Sequence, residues 1–129
     1  MNFTAAKSGK VVAVATALCS TFAWAHHSFA MFDRKTETVL TGTVKAFQWS
    51  NPHSYIQLIS DKDGQNWSIE SFGANTLVRE KWKPDSLQVG DKIAIHMHPL
   101  RNGAPGGELM WVQKADGTTL GRMTEGAGT

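Results

Sequence analysis

SYIQLISDKDGQNWSIES, residues 54–71, contains two runs of alternating side chains separated by a turn. In residues 54–60 and again in 65–71, large apolar side chains alternate with mostly polar ones, which is the period of a strand with one buried face. The intervening DKDG, 61–64, is typical of a hairpin turn in which Gly64 adopts positive φ. The stretch therefore predicts two antiparallel strands.

The segments on either side of this hairpin extend the pattern. Residues 37–50 are rich in β-branched and aromatic side chains and predict a long first strand, with Gly42 as a bend or bulge. Residues 73–91 carry apolar side chains at near-helical spacing, and Pro84 ends that segment. We expect one short helix there.

Two more strands are predicted after the helix, at 92–100 and 109–117, joined by a glycine-rich loop at 101–108. Three strands, a short helix and two strands is the order of an OB-like barrel. The sequence thus predicts an all-β, five-stranded OB-like barrel with the helix between strands three and four. An open α+β sheet is the alternative architecture.

Several motifs along the chain resemble those of the DUF6152 family of small exported bacterial proteins of unassigned function. They are AHHSFAMFD, LTGTVKAFQWSNPHSYIQL, DKDG, SLQVGDKI and PLRNGAPGGEL. The resemblance covers the chain from His26 to about Leu120. It implies export and a compact β domain, but it implies no reaction and no functional residues.

The first 25 residues have the pattern of a secretory signal peptide. Lys7 and Lys10 precede a run without charge that ends in Ala23-Trp24-Ala25. The run is shorter than the ~20 apolar residues of a membrane-spanning helix. Leu18 before Cys19 argues against a lipoprotein signal. We predict cleavage after Ala25 and a periplasmic location.

Cleavage would change the composition of the chain. Removal of 25 residues from 129 leaves 104, which we divide into a folded domain at 26–120 and a tail at 121–129. The chain has 13 Lys and Arg against 11 Asp and Glu, and two of the lysines lie in the leader, so the mature protein is formally neutral. This neutrality argues against nucleic acid as a partner. Removal of Cys19 leaves no thiolate for a disulfide or a metal.

All five histidines lie in the predicted mature chain: His26, His27, His53, His96 and His98. After cleavage, His26 would carry a free α-amino group beside its own imidazole, and these two nitrogens can chelate copper. His27 and His53 are the expected helpers. His96 and His98 project from one face of a strand and form a second candidate pair. In the alternative interpretation the His-His end is solvated and binds no metal. The other histidines then only cap a turn or lie on an exposed strand face.

The aromatic residues suggest a different function. Trp49 and Tyr55 flank the SNPH turn, and with Arg101 they would form a stacking surface for a small ligand or a periplasmic protein partner. Trp67 and Trp111 are expected to fill the core instead.

Enzyme chemistry has little support, and no catalytic residue is assigned. The sequence has no G-x-S-x-G and no H-E-x-x-H, and its acidic residues show no pairing. A pair such as His53 with Glu70 could arise only through the fold. The sequence predicts an exported binding or accessory protein with a copper site. The alternatives are a metal-free binding module that uses the aromatic surface and a small metal-dependent enzyme.

Overall fold

The computed structural model describes residues 29–121. The predicted signal peptide, His26 and His27 lie outside these residues, as does the tail after Gly121. The described elements are a 3-10 turn Phe29–Met31, β1 Thr38–Gln48, β2 His53–Ser60, β3 Asn66–Phe72, α1 Ala74–Arg79, β4 Lys92–Pro99, β5 Gly106–Lys114 and β6 Thr119–Gly121.

The first five strands close into a barrel. The strand order is β3-β2-β1-β4-β5-β6, and a further pairing joins β3 to β5. The β3–β5 pair is parallel, and every other pair is antiparallel. With α1 between β3 and β4, this is the topology of an OB-like barrel, as the sequence predicts.

The hairpin of residues 54–71 forms as expected. Ile56 pairs with Ile69 and Leu58 with Trp67, and Gly64 turns the chain with a φ of 67°. Along β2 every second side chain is buried, so the alternation in the sequence is the alternation between barrel interior and surface.

The irregularity in β1 does not lie at Gly42. The register with β2 shifts between Val44 and Ala46, and the expectation of a bulge at Gly42 is therefore wrong in position. Gly42 is needed for another reason, because a Cβ there would collide with the carbonyl oxygen of Ile59. The bulge inserts one residue, so the positions of β1 that face the barrel interior change from even-numbered to odd-numbered residues. Phe47 and Trp49 therefore pack against the core.

The core fills the barrel and continues under the segment after α1. The chain turns sharply at Lys81, whose φ is 65°, and the amide of Trp82 donates to the carbonyl of Leu77. This turn directs Trp82 into the core, where it is 2% exposed. The buried cluster is Leu40, Val44, Ile56, Leu58, Ile69, Leu77, Trp82, Leu87, Ile93, Ile95, Met97 and Val112.

The closure of the barrel uses part of the predicted glycine-rich loop. β5 begins at Gly106, three residues before the predicted start, and Gly106–Glu108 pair with β3. A Cβ on Gly107 would lie 2.6 Å from the carbonyl oxygen of His98 and 2.7 Å from Sδ of Met97. Glycine therefore allows β5 to approach β4 closely. The short strand β6, which no pattern in the sequence predicts, extends the sheet beyond β5.

Candidate functional site

A small, mostly apolar cleft lies where β2, β3 and β5 meet the segment before β1. Its volume is about 60 Å³, and its lining residues are Phe32, His53, Glu70, Ser71, Phe72, Glu108 and Leu109. One of the predicted metal ligands, His53, is among them. We name this site the β3 cleft.

His53 and Glu70 form a pair at the cleft. Glu70 lies opposite Tyr55 in the β2–β3 register, which makes His53 its diagonal neighbour. Nδ1 of His53 is bonded to Oε1 of Glu70, and the two side chains are 38% and 19% exposed. The bond fixes the ring and leaves Nε2 as the nitrogen that can bind a ligand.

The SNPH turn holds the backbone of His53 in place. The Ser50 hydroxyl donates to the carbonyl of His53 at 2.6 Å, and the Ser54 hydroxyl donates to the carbonyl of Ser50 at 3.1 Å. Oδ1 of Asn51 accepts the amide of Asn75, which ties the turn to α1. Through the turn and its bond with Glu70, His53 is anchored at both its backbone and its ring.

A second carboxylate lies beside Glu70. The parallel register pairs Glu70 with Glu108 across β3 and β5. Arg34 binds both oxygens of Glu108, from Nε at 2.9 Å and from Nη2 at 2.6 Å. This bidentate contact offsets the charge of Glu108. The sequence shows neither the adjacency of the two carboxylates nor the role of Arg34, because both depend on how the barrel closes.

Ser71 also lines the cleft, but its hydroxyl oxygen is buried and is not exposed to the cleft. Ser71 is 7% exposed, and its Oγ has no hydrogen-bond partner among the described residues. Phe32 and Leu109 add apolar surface to the lining, and the half-exposed Phe72 also borders the cleft.

His96 and His98 lie on the same, outer face of β4, as predicted, and Met97 between them is buried. Nδ1 of His96 lies 3.3 Å from Oε1 of Glu37, and Nδ1 of His98 lies 2.9 Å from the carbonyl oxygen of Thr36. β4 and β2 do not pair with each other, because β1 lies between them on one side of the barrel and β3 and β5 lie between them on the other; neither ring is bonded to His53 or Glu70.

The imidazole of His96 is stacked on Trp111 at 3.6 Å between ring centroids and an interplanar angle of 15°. Trp111 is therefore on the barrel surface, and the expectation that it fills the core is wrong. Trp67 does pack against the core cluster.

The predicted stacking residues lie in different environments. Trp49 packs against the core and meets Phe47 edge to face at 5.6 Å. Tyr55 lies on the outer face of the barrel, where neighbouring residues partly bury it. This burial and, as the smaller cause, the negative charge of Glu70 raise the pKa of its hydroxyl. Arg101 donates from Nε to the carbonyl of Phe32 and so holds the segment before β1. The structure thus does not gather the three into one wall.

Within residues 29–121, no group of three His, Cys, Asp or Glu side chains is arranged to hold a metal ion. A copper site would need donors from outside this range, and both His26 and His27 lie there. No helix in the same range has the length and hydropathy needed to cross a membrane.

The fold and cleft define a class of protein: an OB-like barrel with a histidine–carboxylate pair at a small cleft. The model of a family of unknown function, DUF6152, matches residues 11–109, and the chain belongs to this family. A search of curated proteins found no match.

Proposed function

We propose that the protein is exported to the periplasm, where it acts as a binding or accessory protein that holds one copper ion through histidine nitrogens. His26 supplies its α-amino group and its imidazole in this proposal. His53 supplies Nε2 from the β3 cleft, and His27 is a further donor. Imidazole and amine nitrogens suit copper.

The observation that carries the proposal is the state of the His53 ring. Histidines that bind metals usually donate their second ring nitrogen to a carboxylate or carbonyl, which orients the ring. Glu70 is bonded to Nδ1 of His53 in this way and leaves Nε2 available. In the described residues, His53 therefore offers one ring nitrogen, Nε2, to a metal ion. The other ligands of the proposed site must come from other nitrogens.

The position of Phe32 supports the same proposal. Phe32 lines the cleft together with His53, and its backbone bridges to Leu100. His26 precedes Phe32 by six residues along the chain. Six extended residues span up to ~20 Å. The amino group of His26 is therefore within chain reach of Nε2 of His53.

A copper titration of the chain that begins at His26 tests the proposal. The comparison includes a chain with one added alanine before His26 and the His53→Ala variant, because each removes one proposed donor. We expect the unaltered chain to bind one copper ion and both altered chains to lose most of the affinity.

His98→Ala is the matched control, because it also removes an imidazole whose Nδ1 is hydrogen-bonded, but from β4, which does not pair with β2 and contributes no histidine to the lining of the cleft. Its copper affinity should stay unchanged. Weak and equal binding by all four proteins would contradict the proposal.

A further inference from the structure

Polar side chains on the outer face of β1, β2 and β3 form one hydrogen-bonded chain. We name it the amide network, and its members are Gln48, Gln57, Asn66 and Ser68. Nε2 of Gln57 donates to Oε1 of Gln48 at 3.1 Å and to Oγ of Ser68 at 3.0 Å. Nδ2 of Asn66 donates to Oε1 of Gln57 at 2.8 Å. Gln57 and Ser68 are also a direct cross-strand pair, so the network crosses three strands on one side of the sheet.

The network orients side chains that are otherwise flexible. A surface glutamine loses rotamer freedom when it is ordered, and an exposed hydrogen bond returns little stability. Because this ordering is already present in the folded protein, a ligand that binds these groups does not have to cause it. Within residues 29–121, Nε2 of Gln48 and Oδ1 of Asn66 have no hydrogen-bond partner. The network therefore presents an oriented donor at one end and an oriented acceptor at the other.

Two aromatic side chains continue the same face along the strands. Tyr55 precedes Gln57 by two residues on β2, and Phe72 follows Ser68 by four residues on β3. Strand residues at these spacings share a face. Phe72 is 54% exposed. From Asn66 to Phe72 the face is roughly 20 Å long, at about 3.3 Å per residue. Amides and aromatic rings thus lie along a surface that fits an extended ligand.

Charge decides between the two kinds of extended ligand that OB-folds bind on the face of strands two and three, oligonucleotides and oligosaccharides. A nucleic-acid strand needs several cations along its phosphates. The described strands β1, β2 and β3 contain one lysine, Lys45 in the bulge of β1, and no arginine. Glu70 adds a carboxylate beside Tyr55. Sugar hydroxyls, like side-chain amides, both donate and accept without charge. The face therefore favours an uncharged oligosaccharide.

We propose that the outer face of β1, β2 and β3 binds an uncharged oligosaccharide in an extended conformation. Sugar hydroxyls hydrogen-bond to the ends of the amide network at Gln48 and Asn66. The apolar faces of the sugar rings pack on Tyr55 and Phe72. This site goes beyond copper binding and requires no metal.

Titrations of the metal-free chain that begins at His26, kept in a chelator, test the proposal. Three uncharged tetrasaccharides, cellotetraose, maltotetraose and chitotetraose, are compared with the anionic oligonucleotide tetrathymidylate. The side-chain NH2 signals in a nitrogen–proton correlation spectrum report directly on Gln48, Gln57 and Asn66. We expect saturable shifts of these signals with at least one of the tetrasaccharides and none with tetrathymidylate.

Two variants remove different parts of the network, and the Gln48 signals measure the affinity of each. Gln57→Ala removes the central member and should weaken binding of that tetrasaccharide about tenfold. Asn66→Ala removes one end and should weaken it about threefold. Gln113→Ala is the matched control, because Gln113 is an exposed glutamine of β5 that pairs with Ala94 and Thr119. Its affinity should not change. A cooperative urea transition checks that each variant is folded.

The proposal is overturned if none of the tetrasaccharides shifts the network signals, if tetrathymidylate shifts them as strongly, or if Gln57→Ala binds as the unaltered chain does. Because copper is absent throughout, a failure here leaves the copper titration unaffected, and the reverse also holds.

Discussion

Ser54 and Ser71 provide a paired test of the hydrogen bonding that the structure assigns. They face each other across β2 and β3 and are 0% and 7% exposed. Ser54 Oγ donates to the carbonyl of Ser50 at 3.1 Å and accepts its amide at 3.2 Å, whereas Ser71 Oγ has no partner in the described chain. Replacement by alanine should therefore change stability in opposite directions.

The magnitudes follow from the cost of unsatisfied polar groups, which is about 1–3 kcal/mol. Ser54→Ala leaves the Ser50 amide without its acceptor and should lower the free energy of unfolding by about 1–2 kcal/mol. Ser71→Ala removes a hydroxyl that is already unsatisfied and should raise it by up to about 1 kcal/mol.

Urea unfolding of the metal-free chain measures both effects through the transition midpoint at an unchanged m-value. In thermal unfolding, 1 kcal/mol corresponds to a shift of about 4–8 °C for a domain of this size. Equal destabilisation by the two substitutions would refute the reasoning, because Ser71 would then have a hydrogen-bond partner.

Two further predictions concern barrel closure and the charge beside the cleft. Gly107→Ala should lower the free energy of unfolding by about 1–3 kcal/mol, because the new methyl group would collide with the carbonyl oxygen of His98. An unchanged midpoint of urea unfolding would contradict the close approach of β4 and β5. Tyr55, the single tyrosine of the chain, should titrate with a pKa above 10.0, measured by phenolate absorbance. Since its folded-state pKa is raised, its contribution to stability is present below pH 10 and is lost as the pH rises through that pKa. Glu70→Gln should lower the pKa of Tyr55 but leave it above its ordinary value, because burial is the larger cause of the shift. A Tyr55 pKa at or below 10.0 in the unaltered chain would contradict the burial of this side chain.

The barrel was predictable from the sequence because its hairpin is locally encoded. In β2 and β3 the side-chain alternation matches one buried face, and Gly64 supplies the turn. The bulge between Val44 and Ala46 was not predictable, since it depends on how β1 meets β2 rather than on a glycine. The early start of β5 was missed because glycine usually indicates a loop, whereas here it permits close strand contact.

The cleft was predictable only in part. His53 stands out because it follows a proline at a strand junction, and its pairing with Glu70 required the register of β2 with β3. The neighbouring carboxylates Glu70 and Glu108 required the parallel pair that closes the barrel, which no local pattern encodes. Ser71 resembles any strand serine until its burial is known.

The most direct test of the copper site is electron paramagnetic resonance of the chain that begins at His26, loaded with one equivalent of Cu(II). The measurement compares the unaltered chain, His53→Ala and His98→Ala for nitrogen hyperfine coupling to copper. We predict that the coupling changes in His53→Ala and stays the same in His98→Ala. Identical spectra from the unaltered chain and His53→Ala would contradict it, because the β3 cleft would then supply no ligand.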